Sequence, residues 1–341
     1  MKIINNKKEA IEELKRISAR TNLENNNKIN AIVEEILQEV KNYGDIAVKK
    51  YTKKFDGFNP DPMQISANDL ENAWEQIDCN LKRSLEVAYK RIYKFHEKEI
   101  PTSFTIKGEH GDIVQRRWKP VKNAGIYIPG GRAAYPSTVL MNAVPAKVAG
   151  VEEIIMVSPG NKEGKINKTV LAAAYLSGIK KVFRIGGAQA IGALAFGTNQ
   201  INKVDVVTGP GNIYVTTAKK LIYGSTGIDS LAGPSEILII ADETAQSSHI
   251  VSDLLAQAEH DPFASSILLT TSQNQAKEVL EGLYKKIDSH PRKEICMQSI
   301  NNWGLIVICE DYQSCIELSN KFAPEHLEIL ALDSRNILEG I

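Results

Sequence analysis

The chain has 341 residues with 41 Lys+Arg balanced by 41 Asp+Glu, enough length for two domains of ordinary size and no excess of positive charge to hold a nucleic-acid backbone. Its four cysteines, Cys79, Cys296, Cys309 and Cys315, form no CxxC pair, which argues against a disulfide framework or a thiolate zinc cluster and fits a reducing, cytoplasmic setting. The start, MKIINNKKEAIEEL, carries charges where a signal peptide needs an apolar run, and no stretch approaches the roughly 20 apolar residues of a membrane span, so a soluble chain is expected.

The first hundred residues are polar and lysine-rich. Apolar residues recur there at helical spacing in Ile29, Ile32, Val33, Ile36, Leu37 and Val40, then in Leu81, Leu85, Ala88 and Ile92, which predicts helices with charged outer faces. After Trp118 short β-branched runs alternate with amphipathic stretches and glycine-rich turns, the pattern of repeated βαβ units around a parallel sheet. Strands are expected near 124–128, 153–157, 181–185 and 204–207, with helices at about 137–149, 167–177, 188–196 and 212–222. A second series follows, with strands near 236–240, 266–270, 304–309 and 327–331 and helices near 246–260, 273–287 and 311–321. The shared element order predicts two similar doubly wound, Rossmann-like sheets, with chemistry in the loops beyond the carboxyl ends of the strands. At the end, Asp333 or Ser334 reads as the cap of a helix carrying Ile337, Leu338 and Ile341. That helix is short and has no convincing stop signal, so a further C-terminal segment is expected.

Several loops could carry chemistry. The run 127–137 (YIPGGRAAYPS) is a strand end, two glycines and a serine, Ser137, able to cap the next helix; it suits an anion or serves simply as a tight turn. The run 209–214 (GPGNIY) has the same setting but fails GxGxxG, since Tyr214 stands where the third glycine belongs, and no GxxxxGK[ST] occurs. In 186–192 (GGAQAIG), Gln189 in a first helical turn either caps the helix or grips a ribose or nicotinamide. Ser235 in 232–236 (AGPSE) reads as a turn serine. Gln257 and His260 lie at i and i+3 before Pro262, on one helical face, where they either hydrogen-bond locally or offer two ligands to a metal that wants four donors, or three and an open position. Glu325 and His326 put a carboxylate beside an imidazole, the side chains most used as general acid and base, although neighbours in extended chain point apart unless the backbone turns, as Pro324 allows.

Taken together and in this order, these motifs closely resemble the histidinol dehydrogenase family, from about residue 20 to 332. The resemblance implies NAD-dependent, four-electron oxidation of L-histidinol to L-histidine through L-histidinaldehyde, the last steps of histidine biosynthesis, with one zinc ion per subunit. It implies that Tyr127, Gln189 and Asn212 contact NAD; that Ser235, Gln257, His260 and His326 contact substrate; that Gln257 and His260 bind zinc; and that Glu325 and His326 are the acid/base pair. It further implies a homodimer, and that the remaining zinc ligands and a further acidic substrate contact lie in sequence beyond residue 341. The domain division expected on this reading is an N-terminal arm at 1–22, a discontinuous α/β domain of 23–120 plus 236–341 bearing the metal and acid/base residues, and an inserted NAD-binding α/β domain at 121–235. The alternatives are a truncated, catalytically impaired NAD-binding fragment of the same enzyme, or a doubly wound transferase holding a sugar phosphate or nucleotide on its glycine loops, which leaves Gln257, His260, Glu325 and His326 without a task.

Overall fold

The structure, a computed structural model, describes residues 1–20, 27–130, 134–231 and 235–341. In chain order the elements are β1 (Lys2–Ile4), α1 (Lys7–Ala19), α2 (Asn27–Tyr43), α3 (Asp45–Asp56), α4 (Ala67–Gln76), α5 (Cys79–His96), β2 (Phe104–Lys107), β3 (Ile113–Arg116), β4 (Asn123–Tyr127), α6 (Pro136–Ala149), β5 (Glu153–Val157), α7 (Lys168–Leu176), β6 (Lys181–Phe183), α8 (Gly187–Phe196), β7 (Val206–Thr208), α9 (Ile213–Ile222) and β8 (Gly227–Ile228). There follow β9 (Glu236–Ala241), α10 (Ser247–Ala258), β10 (Ser265–Thr270), α11 (Gln273–Asp288), α12 (Lys293–Trp303), β11 (Gly304–Ile308), α13 (Tyr312–Phe322), β12 (His326–Leu330) and α14 (Ser334–Glu339). They form two compact units, one of residues 26–232 and one of 1–25 with 233–341.

The 26–232 unit is built on a parallel sheet of order β6-β5-β4-β7-β8. Strand alternation sorts its side chains: Ile126 and Ile128 face α4 to α7, while Tyr127 faces α2, α3, α8 and α9. The apolar stripe Val33, Ile36, Leu37 and Val40 of α2 lies on the small-residue helix α8, and a Cβ at Gly192 would stand 3.1 Å from the Leu37 side chain. Strands β2 and β3 form a separate antiparallel hairpin whose residues are all exposed.

The other unit carries the parallel sheet β1-β11-β10-β9-β12. Helices α1, α13 and α14 cover one face through Leu14, Ile17, Leu318, Phe322 and Ile337, and α10, α11 and α12 cover the other. Both sheets share a core in which the first strand lies between the second and the fourth, so the expected likeness of the two holds.

The expected domain boundaries do not match these units. Residues 27–120 fall in one compact unit with the β4–β8 sheet, because both apolar faces of that sheet need helices and α2 to α5 supply them. Residues 1–20 are no arm: Lys2, Ile3 and Ile4 pair in parallel with Leu305, Ile306 and Val307, and α1 buries Ala10, Leu14 and Ile17. The 22/23 boundary itself falls outside the described residues, as do 131–133 of the first glycine turn and 232–234 of the second. Ser137 caps nothing, since α6 starts at Pro136 with no side-chain cap. The terminal helix forms, but of its apolar residues Ile337 alone is buried, with Leu338 61% and Ile341 46% exposed.

Candidate functional site

In the 26–232 unit the strand order reverses between β4 and β7, and a cavity of about 620 Å³ opens beside the carboxyl ends of the strands, where open α/β sheets take ligands. Tyr127 ends β4. Its ring is 4% exposed, its hydroxyl accepts the Gly187 N–H at 3.2 Å, and burial pushes the phenol up to about 12, so it is neutral at physiological pH. Gln189 is 1% exposed, yet among the described residues neither its Oε1 nor its Nε2 has a hydrogen-bond partner, and α8 has no side-chain cap. Local capping therefore does not explain this glutamine. A buried amide left open at both ends costs about 1–3 kcal/mol per group unless something hydrogen-bonds it. Gly187, at φ +62°, is needed to bring it there, because a Cβ would lie 2.7 Å from Gln189 Oε1.

Asn212 caps α9, its Oδ1 accepting Tyr214 N–H at 3.1 Å and Val215 N–H at 3.2 Å, which turns its Nδ2 hydrogens to other use. The loop that presents it is clamped: the buried Lys219 donates from Nζ to the Gly209 carbonyl at 2.9 Å and pairs with Asp229, whose other oxygen accepts Gly209 N–H at 2.8 Å. Gly209 sits at φ +110°, with an imagined Cβ 2.2 Å from the Tyr127 carbonyl oxygen. Sequence reasoning missed Lys219, Asp229 and also Asp56, which lines the cavity. A lysine on the buried face of α9 was the available signal for the clamp.

The second constellation lies wholly in the other unit, and at the opposite sheet edge from the one expected. Ser235 immediately precedes β9, Glu236 opens it and His326 opens the parallel β12, so these residues gather at the amino ends of the strands. His326 Nδ1 lies 3.2 Å from the Glu236 carbonyl oxygen, and Glu325 Oε2 accepts Glu236 N–H at 3.3 Å. The chain bends at Glu325, and the two side chains converge with Nδ1 and Oε2 3.8 Å apart. The tendency of neighbours to point apart is thus overcome by the bend. Because a ring nitrogen facing a carbonyl must carry its proton, Nε2 of neutral His326 is the open base.

Helix α10 runs back to this edge. Gln257 stands in its last turn with Nε2 buried and unpartnered among the described residues, and His260, exposed, follows one turn on, its N–H bonded to the Gln257 carbonyl at 3.2 Å. Among the described residues no three His, Cys, Asp or Glu side chains gather so as to hold a metal ion. Two features escaped sequence reasoning here. Arg20, its side chain fully buried, ties Glu236 at 3.0 Å and the Phe263 carbonyl at 2.8 Å, bracing the start of β9. Glu328, two residues along β12 from His326, has a buried Oε2 without a partner among the described residues, and burial, then Asp253, raise its carboxyl while His326 lowers it.

The family model for histidinol dehydrogenase matches residues 19–341. The chain is 89% identical over its whole length to the histidinol dehydrogenase of Prochlorococcus marinus (strain MIT 9312), covering 78% of that protein. The chain belongs to the histidinol dehydrogenase family. It is also 76% identical over its whole length to the enzyme of Prochlorococcus marinus subsp. pastoris (strain CCMP1986 / NIES-2087 / MED4), covering 80% of it. The crystal structure of histidinol dehydrogenase from Elizabethkingia anophelis superposes with a TM-score of 0.87 at 38% identity, over 91% of this chain and 72% of that one. Membership makes the chain an oxidoreductase, and the fold expected from its sequence is the fold of the family. No helix among the described residues is long and apolar enough to cross a membrane.

Proposed function

We propose that the chain oxidises L-histidinol to L-histidine, with NAD held in the 26–232 unit and the proton transfers made at the amino ends of β9 and β12. The observation that carries the reading is the convergence of His326 and Glu325 on the Glu236 peptide, which gives each a defined open base atom. His326 Nε2 takes the alcohol proton as the hydride departs, and the nearby Glu325 carboxylate stabilises the imidazolium that results. Glu325, one oxygen fixed by Glu236 N–H, draws a proton from water that adds to the aldehyde; loss of a second hydride from that hydrate leaves the carboxylate. When bound, NAD accepts each hydride. The open amide of Gln189, the Tyr127 hydroxyl and Asn212 Nδ2 are the hydrogen-bonding groups offered to it. Ser235, Gln257 and His260 would hold the substrate.

Gln257 and His260 would supply two of zinc's donors. The described residues fall short of the donor set a zinc ion requires. The active form is proposed to be a homodimer in the cytoplasm. The free thiols fit a reducing compartment, and the exposed Phe104, Ile106, Ile113 and Val114 of the β2–β3 hairpin favour self-association, which sedimentation would test.

The deciding assay is NADH formation from L-histidinol with zinc present, compared with oxidation of added L-histidinaldehyde. His326→Asn should suppress the first far more than the second. Equal loss on both substrates would refute this division of labour, and no NADH from the unaltered chain would refute the reading as a whole.

A further inference from the structure

Asp56 is poorly accommodated where it stands. It is the last residue of α3, where the negative end of the helix dipole opposes a carboxylate. Its Oδ2 is shielded from water and has no hydrogen-bond partner among the described residues. Burial alone pushes its carboxyl up to about 6. It nevertheless lines the same cavity as Tyr127, Gln189 and Asn212. An ionised carboxylate only accepts, so a ligand that relieves it must bring donors, and a vicinal diol brings two.

The wall beside it indicates which diol. Phe55, 52% exposed, stacks on Tyr51 with ring centroids 5.8 Å apart and planes 12° from parallel, and both aromatic residues line the cavity. Such a pair suits a purine. Gln189, with a donor and an acceptor both open, suits the carboxamide of a nicotinamide. Among the described residues, a 2′-phosphate at the Asp56 end would meet two carboxylates, Asp56 and Glu35, and the amine of Lys54, which lies over the Tyr51 and Phe55 rings.

We propose that Asp56 accepts the hydroxyls of the adenosine ribose and so selects NAD over its 2′-phosphorylated form. The assignment rests on the cofactor reading above and adds to it the group that sets cofactor preference. A carboxylate contacting that ribose is the general device of dinucleotide folds, here supplied from a helix C-terminus rather than from a strand end.

The test is direct binding of NADH and NADPH, followed by nucleotide fluorescence, to the unaltered chain and to Asp56→Asn and Asp56→Glu, with a thermal melt of each free protein to establish folding. The unaltered chain should bind NADH at least about tenfold more tightly than NADPH, Asp56→Asn should bring the two within about threefold, and Asp56→Glu should keep a preference for NADH. An unchanged preference in a folded Asp56→Asn would overturn the role of Asp56 while leaving the cofactor reading intact. Failure of the unaltered chain to bind NADH would overturn both.

Discussion

Replacing Lys219 with methionine, which keeps the length of the side chain and removes its charge, isolates the clamp under the Gly209–Asn212 loop. Lys219 is 3% exposed and its partner Asp229 34% exposed. Removing one member of a fully buried ion pair costs about 3–5 kcal/mol, because the survivor stays desolvated and unpaired. Asp229 keeps some contact with water and retains the Gly209 N–H bond, so we expect a cost below that range, about 2–3 kcal/mol. For a unit of this size that lowers the melting temperature by roughly 4–10 °C. Function should suffer in a specific way. With the Gly209 carbonyl released, Asn212 is no longer held against the cavity, so the KM for NAD should rise about tenfold while kcat changes little. The assays are a calorimetric melt and NAD-dependent kinetics at saturating histidinol. The double variant Lys219→Met/Asp229→Asn, which leaves no unpaired charge, should melt above the single one. A single variant that melts within a degree of the parent with an unaltered KM for NAD would refute the clamp.

Gly209→Ala drives a Cβ against the Tyr127 carbonyl at a positive φ and should cost more than about 2 kcal/mol in urea denaturation; an unmoved midpoint would contradict the close approach. Gln189→Met, nearly isosteric, removes two orphaned polar atoms, so the free protein should gain about 1–2 kcal/mol while NADH binding falls sharply, and a loss of stability would mean that the amide has a partner in the free protein. The pH dependence of Asp56 has a definite sign. Its carboxyl lies at about 6 in the fold against an ordinary 3.8, so the folded state holds the proton more tightly, and stability drains away as pH rises from about 4 to about 6 and stays low above. Asp56→Asn should therefore raise the melting temperature more at pH 7.5 than at pH 4. A gap that narrows with rising pH would show that the carboxylate is not destabilising.

Much of the candidate site could be read because its residues sit in short motifs whose local geometry is set by neighbours in the chain. Gly187 and Gln189 share one helical turn, Gly209 to Asn212 form one loop, and Gln257 and His260 share a helical face. The strands β4, β5, β9, β10 and β11 were legible for a similar reason, since a buried parallel strand is a run of apolar residues bounded by turns. What could not be read are relations between distant segments. β1 and β8 are too short to show a pattern, and the hairpin β2–β3 is too exposed to show an apolar face.

The sequence by itself determined the family, the α/β class and the residues on which the chemistry is proposed to rest, because all of these are carried by local periodicity and by motifs a few residues long. Only the tertiary structure decided that α2 to α5 complete the β4–β8 sheet, that β1 closes the edge of the other, and that Ser235, Glu325 and His326 meet at the amino ends of their strands. It alone placed Asp56 in the cavity, with Oδ2 unpartnered among the described residues, and Lys219 beneath the glycine loop. The reason is physical: which apolar face covers which sheet, and which buried charge finds a partner, depends on packing between residues far apart in the chain, and neither periodicity nor composition records that pairing.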